Sequence, residues 1–97
     1  MEKTKQDLMN ELFDALLLLE SRDEAERFMK DLCTPQEVSA LAERWGVCKL
    51  LNKETLSYRE IHALTGASLT TITRVARFLQ KEPHRGYVTV LKKLKSV

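Results

Sequence analysis

The stretch TGASLTTITR, residues 65–74, sets Ser68, Thr70, Thr71 and Thr73 between Gly66 and Arg74. Short hydroxylated side chains can bond phosphate oxygens or base edges, their methyl groups can meet thymine, and an arginine fork matches O6 and N7 of guanine. Arg59 and His62 lie one turn apart a little upstream, directly after Tyr58. The plain alternative is local: Gly66 ends one helix, Ser68 caps the next, and the threonines form a solvated face. The elements around the stretch separate the two.

Ser57 and Glu60 have the spacing of a capping box, so a short helix is predicted from about Tyr58 to Thr65, burying Ile61 and Leu64 before Gly66 stops it. A second helix starts near Ser68 or Leu69 with Ile72, Val75, Ala76 and Leu79 as its inward face. Two short helices joined by a three-residue turn containing glycine match the helix-turn-helix. With that inward face, Thr70, Thr71, Thr73 and Arg74 fall on or beside the opposite one, at the end of the helix that would enter a major groove. Small residues there permit close approach, and Arg59 and His62 could flank the same groove. Arg77 and Lys81 are equally well read as solvated charges.

Ahead of this pair, residues 3–20 carry Leu8, Leu12, Leu16 and Leu19 at helical spacing, with Met9, Phe13 and Leu17 on an adjacent stripe. That apolar arc is too wide for one neighbour in a small domain and predicts a second chain as partner. Ser21 with Glu24, and Thr34 with Pro35 and Glu37, are further helix starts, proline standing where its missing N–H costs nothing. The third helix aligns Val38, Leu41, Ala42, Trp45, Cys48 and Leu51, which places Trp45 in the core or at a dimer interface. The expected layout is all-α with about six helices in one domain over 1–97: dimerisation helices over 3–53, the helix-turn-helix over 57–80 and a C-terminal helix over 84–96.

Composition narrows the function. A chain of 97 residues buries only about 60–68% of its unfolded surface alone, so surplus apolar surface points to oligomerisation. The net charge of +2 is partitioned: residues 1–56 hold eight Lys/Arg against twelve Asp/Glu, whereas residues 57–97 hold eight against two. The basic half coincides with the helix pair and has the character of an electrostatic footprint for phosphates. Cys33 and Cys48 share no ligand spacing with each other or with His62 and His84, which predicts reduced buried thiols in a cytoplasmic protein and neither metal nor disulfide. The apolar run at 15–19 is too short for a membrane span and lacks the flanks of a secretory signal. No nucleophile, base and orienting residue stand at suggestive spacing, and no glycine-rich phosphate loop exists, so an enzyme is not expected.

From Thr34 to Leu79 the chain resembles the Trp repressor family. The resemblance is carried by T-P-x-E with A-L and Arg44, then L-S-Y-R-E-I, then G-A-S-L-T-T-I-T-R. It implies an intertwined all-α homodimer whose N-terminal helices interlock and whose helix-turn-helix units reach two half-sites of an operator. Leu8, Leu12, Leu16, Leu19 and Trp45 would then form the dimer interface. By the same resemblance Tyr58, Arg59, His62, Ser68, Leu69, Thr70, Thr71, Thr73 and Arg74 fall where the family touches DNA, with Arg59 and Thr71 near bases.

The family's tryptophan corepressor is held between two arginines, matched by Arg44 and Arg74, beside a threonine matched by Thr34. Here, however, Val75 replaces the glycine under the indole, Phe78 replaces a serine, and Asp31 and Cys33 replace two leucines. The pocket Thr34, Arg44, Arg74, Val75 and Phe78 is therefore expected to take no tryptophan, a smaller or differently shaped ligand gripped by Arg44 and Arg74 being the alternative. The expected function is a sequence-specific transcriptional regulator, repressor in type, binding a pseudo-palindromic operator without that cofactor. The alternative is a helical interaction module or transcription adaptor on the same fold, distinguishable because phosphate contacts make duplex affinity fall steeply with salt.

Overall fold

A computed structural model describes residues 2–95. Among them the chain forms α1 (Lys5–Leu17), α2 (Arg22–Leu32), α3 (Pro35–Lys53), α4 (Tyr58–Thr65), α5 (Leu69–Gln80) and α6 (Gly86–Lys95), with no strand.

Hydroxylated caps start most of these helices. Thr34 and Ser57 accept from the backbone N–H of Glu37 and Glu60, each at 3.1 Å, and the glutamates return bonds to the cap N–H at 2.7 and 2.9 Å. Those bonds favour the ionised form and hold both carboxyls below the ordinary glutamate range, the backbone bond being the larger cause. Thr4 makes the same reciprocal arrangement with Asp7, which fixes the start of α1 at Lys5 rather than residue 3. At its other end the N–H of Leu18 turns back to Ala15 and Leu16, so α1 stops at Leu17 and leaves Leu19 outside the expected 3–20 helix. The Ser21 box is only half made: Ser21 accepts from Glu24 N–H, but the Glu24 carboxylate accepts from Glu20.

The chain divides into two compact units, residues 1–38 and 39–97. Among its described residues the first unit, α1, α2 and the opening turn of α3, contains no buried side chain. Its three ion pairs, Lys3–Glu11, Arg27–Asp23 and Lys30–Glu26, lie on solvated surface, where such pairs contribute little.

The second unit has a closed core. Val47 and Cys48 of α3, Ile61 of α4, Ala67 of the following turn, Ile72 and Val75 of α5 and Leu91 of α6 are buried together, with Trp45, Leu50, Leu51, Leu56, Leu79 and Tyr87 packed around them. Burial pushes the Cys48 thiol up to about 11. Cys33 is only half-buried, and both are free thiols, so the expectation of two buried ones holds for Cys48 alone.

Two further expectations change. Leu64 is 67% exposed while Ile61 is fully buried; three residues along a helix turn the side chain about 60° off the buried line, which is enough to miss a core this small. The C-terminal helix starts at Gly86, not residue 84, because Arg85 takes a left-handed φ of 56° and accepts from Thr89 N–H as the helix opens. Residue 96, the end of the expected 84–96 range, lies outside the described residues.

Candidate nucleic-acid interface

The turn between α4 and α5 is bonded throughout, which answers what its small polar residues do. Gly66 ends α4 in the left-handed region, φ 76°, and donates its N–H to His62 O at 2.8 Å. Thr65 donates its hydroxyl to Ile61 O at 2.7 Å and accepts from Ala67 N–H at 3.1 Å. The carbonyl of buried Ala67 accepts from Nδ1 of His62 at 2.7 Å. Ser68 caps α5 by accepting from Thr71 N–H, and its own hydroxyl donates to Thr71 Oγ1, both at 3.1 Å. Thr65, Ser68 and Thr71 are thus partly occupied in holding two helices at a fixed angle.

The remaining side chains point outward. Tyr58, Arg59, His62, Leu69, Thr70, Thr73 and Arg74 are exposed, along with Ser68, while Thr71 is half-buried and keeps its hydroxyl hydrogen to donate. They gather around two dents that share Leu69. One of about 300 Å³ is lined by Tyr58, Arg59, His62, Leu69 and Ile72. The other, of about 390 Å³, is lined by Leu69, Thr70, Thr73, Arg74 and Arg77. Arg77 therefore joins the set; its position one turn beyond Thr73 and Arg74 is the periodic signal that marks it. Among the described residues none of Arg59, Arg74 or Arg77 makes an ion pair with a carboxylate.

Two of the residues assigned to the ligand pocket share a cavity. Arg74 and Phe78 line a cavity of about 520 Å³ with Trp45, His84, Arg85, Gly86, Tyr87 and Val90. Trp45 stacks on Tyr87 with centroids 6.4 Å apart, in keeping with its reading as a core residue. Phe78 stacks on His84 at 6.0 Å and carries the guanidinium groups of Arg74 and Arg77 at 4.3 and 5.1 Å from its ring. Val75 instead faces the core, 1% exposed. Arg44 is half-buried. Arg44 and Arg74 both favour ionisation of the Tyr87 phenol, but burial, the larger cause, raises it above the ordinary tyrosine range. Thr34 belongs to the first unit, capping α3. His84, Arg85, Tyr87 and Val90 were not legible as a lining, because it forms only where the start of α6 comes to Trp45 and Phe78. No three of the described His, Cys, Asp and Glu residues gather as a metal site.

Six helices, a glycine-turned helix pair and a cationic, hydroxyl-bearing outer face define a helix-turn-helix protein. The chain belongs to the Trp repressor family, whose sequence profile, described as Trp repressor protein, matches residues 7–95. It is 40% identical over 78 residues to the uncharacterized protein YerC of Bacillus subtilis (strain 168), covering 80% of this chain and 74% of YerC. A crystal structure from Staphylococcus aureus, provisionally assigned as a Trp repressor, is 40% identical with a TM-score of 0.84, over 91% of this chain and 86% of that one. A TrpR-like protein from Eubacterium eligens ATCC 27750 is also 40% identical, with a TM-score of 0.86 over 94% and 92%.

Proposed function

We propose that this protein is a sequence-specific, duplex-DNA-binding transcriptional regulator, a repressor in type, acting as a homodimer on two symmetry-related half-sites and needing no tryptophan. The observation that carries the reading is the outer face of α4 and α5, where Arg59, Arg74 and Arg77, without carboxylate partners, stand among Thr70, Thr73 and Leu69 at the start of α5. Cations with no carboxylate partner among the described residues suit phosphates, and small side chains at a helix start suit close approach to base edges. No helix among the described residues is long and apolar enough to cross a membrane.

Selection of bound sequences from random duplexes, followed by titration of the selected site, tests the proposal. A two-fold-related pair of half-sites is expected, with affinity falling steeply as salt rises. Arg59→Ala is expected to cost roughly 1–3 kcal/mol on that site, as loss of a direct base contact does. No sequence enrichment, or affinity indifferent to salt, overturns the reading in favour of a protein-interaction module.

A further inference from the structure

His62 is exposed on α4, yet one of its ring nitrogens is already committed: Nδ1 lies 2.7 Å from the carbonyl oxygen of Ala67. A carbonyl only accepts, so Nδ1 carries the hydrogen whether the ring is neutral or cationic. The acceptor is fully buried in the core, and the bond holds the ring to the turn. That leaves Nε2 as the free ring nitrogen, a bare lone pair in the neutral ring and an N–H donor in the cation. The dent beside it brings Tyr58 and Arg59 from α4 and the apolar Leu69 and Ile72 from α5. No carboxylate lines it, and the acid of α4, Glu60, is turned back onto its own cap at Ser57.

We infer that His62 is a proton-dependent phosphate contact, in which Nε2–H of the cationic ring donates to a backbone phosphate oxygen of the bound duplex. This rests on the regulator reading above. The first helix of a helix-turn-helix crosses the sugar-phosphate backbone while the second enters the groove, which favours a phosphate over a base edge as the partner of an α4 side chain. The neutral ring turns a lone pair toward the phosphate and is repelled. Binding then takes up one proton from solvent at each such histidine, with no other group changing state, and duplex affinity rises as pH falls through the range in which imidazole titrates.

The test is affinity for the selected duplex at constant ionic strength between pH 5.5 and 8.5, for wild type, His62→Asn and His62→Lys. The Asn amide nitrogen takes the place of Nδ1 and keeps the bond to Ala67 while removing the titrating atom, and thermal unfolding of each variant checks that the turn survives. Wild type is expected to gain about tenfold per histidine at the acid end, the size of a charge-assisted hydrogen bond, so about a hundredfold for a homodimer, with a salt slope steeper there by about two phosphates. His62→Asn is expected to lose that gain, and His62→Lys to bind alike across the range. A gain that persists in a folded His62→Asn, or an affinity that rises with pH as a neutral Nε2 accepting from a base amine demands, overturns the inference while leaving the regulator reading intact. No duplex bound at any pH overturns both.

Discussion

Arg74 stands between two surfaces. It lines the outer dent with Thr70 and Thr73 and also the 520 Å³ cavity with Phe78 and Tyr87, and its guanidinium lies over the Phe78 ring. The resemblance to the Trp repressor family places the corresponding arginine against a corepressor; here the Phe78 ring of the chain itself lies beside it, which supports the proposal that the arginine is positioned without a ligand. The substitutions that matter, Val75 and Phe78, were legible in the sequence as added bulk. Val75 turns into the core, as its place on the inward face with Ile72, Ala76 and Leu79 predicted, and a side chain so placed does not line a slot as the pocket assignment expected. Calorimetry with tryptophan is accordingly expected to give no heat of binding at micromolar ligand, and operator affinity is expected to be equal with and without it. Val75→Gly, which restores the residue type the family resemblance places there, is expected to cost about 3 kcal/mol in stability from the lost buried methyls and the helical glycine. A micromolar dissociation constant with tighter DNA binding would sink this account.

At the scale of the element, the angle between α4 and α5 depends on backbone bonds that the sequence encodes plainly. The Ser57 and Glu60 spacing, the glycine at 66 and the serine at 68 were each readable, because every one answers a local requirement: an orphan N–H, a left-handed residue, another orphan N–H. The bond from His62 to Ala67 was not, since its partner is a carbonyl whose direction exists only once the turn has closed. Leu64 was misread for the opposite reason, a correct helical period applied to a core that Ile61 alone reaches. Gly66 isolates the conformational part of this arrangement, because a Cβ built there meets nothing within 4 Å while its φ is 76°. Gly66→Ala is therefore expected to cost about 1–2 kcal/mol through backbone strain with no clash, and Gly66→Asn distinctly less, since Asn tolerates that region. Chemical denaturation of the two variants checks the order; equal costs would mean that the turn relaxes and does not fix the helix angle.

For the whole molecule the question is what covers residues 1–38. Unit 2 closes a core of its own, but among its described residues unit 1 buries nothing, and a segment under about 40 residues without a disulfide or metal does not stay folded alone. Leu8, Met9, Phe13, Leu16 and Leu17 of α1 are 57, 45, 53, 40 and 83% exposed, with Leu12 and Leu19 half-buried. These side chains form an exposed apolar stripe of the kind that marks interaction sites, and it is the stripe that sequence spacing assigned to a second copy. A symmetric pair would bury the stripe against its twin and, in the same step, fix the separation of two helix-turn-helix units, so the oligomer and the two half-sites stand or fall together. Sedimentation of the wild type is expected to show a dimer at micromolar concentration. Leu16→Asp, which puts a carboxylate where an aliphatic group meets its counterpart, is expected to weaken the dimer by about 2–5 kcal/mol. Amide exchange should then show α1 and α2 losing protection while Val47, Ile61 and Ile72 keep theirs, because those residues pack together in a core within the second unit. A wild-type monomer whose N-terminal helices stay protected would remove the two-fold geometry and, with it, the expectation of paired half-sites.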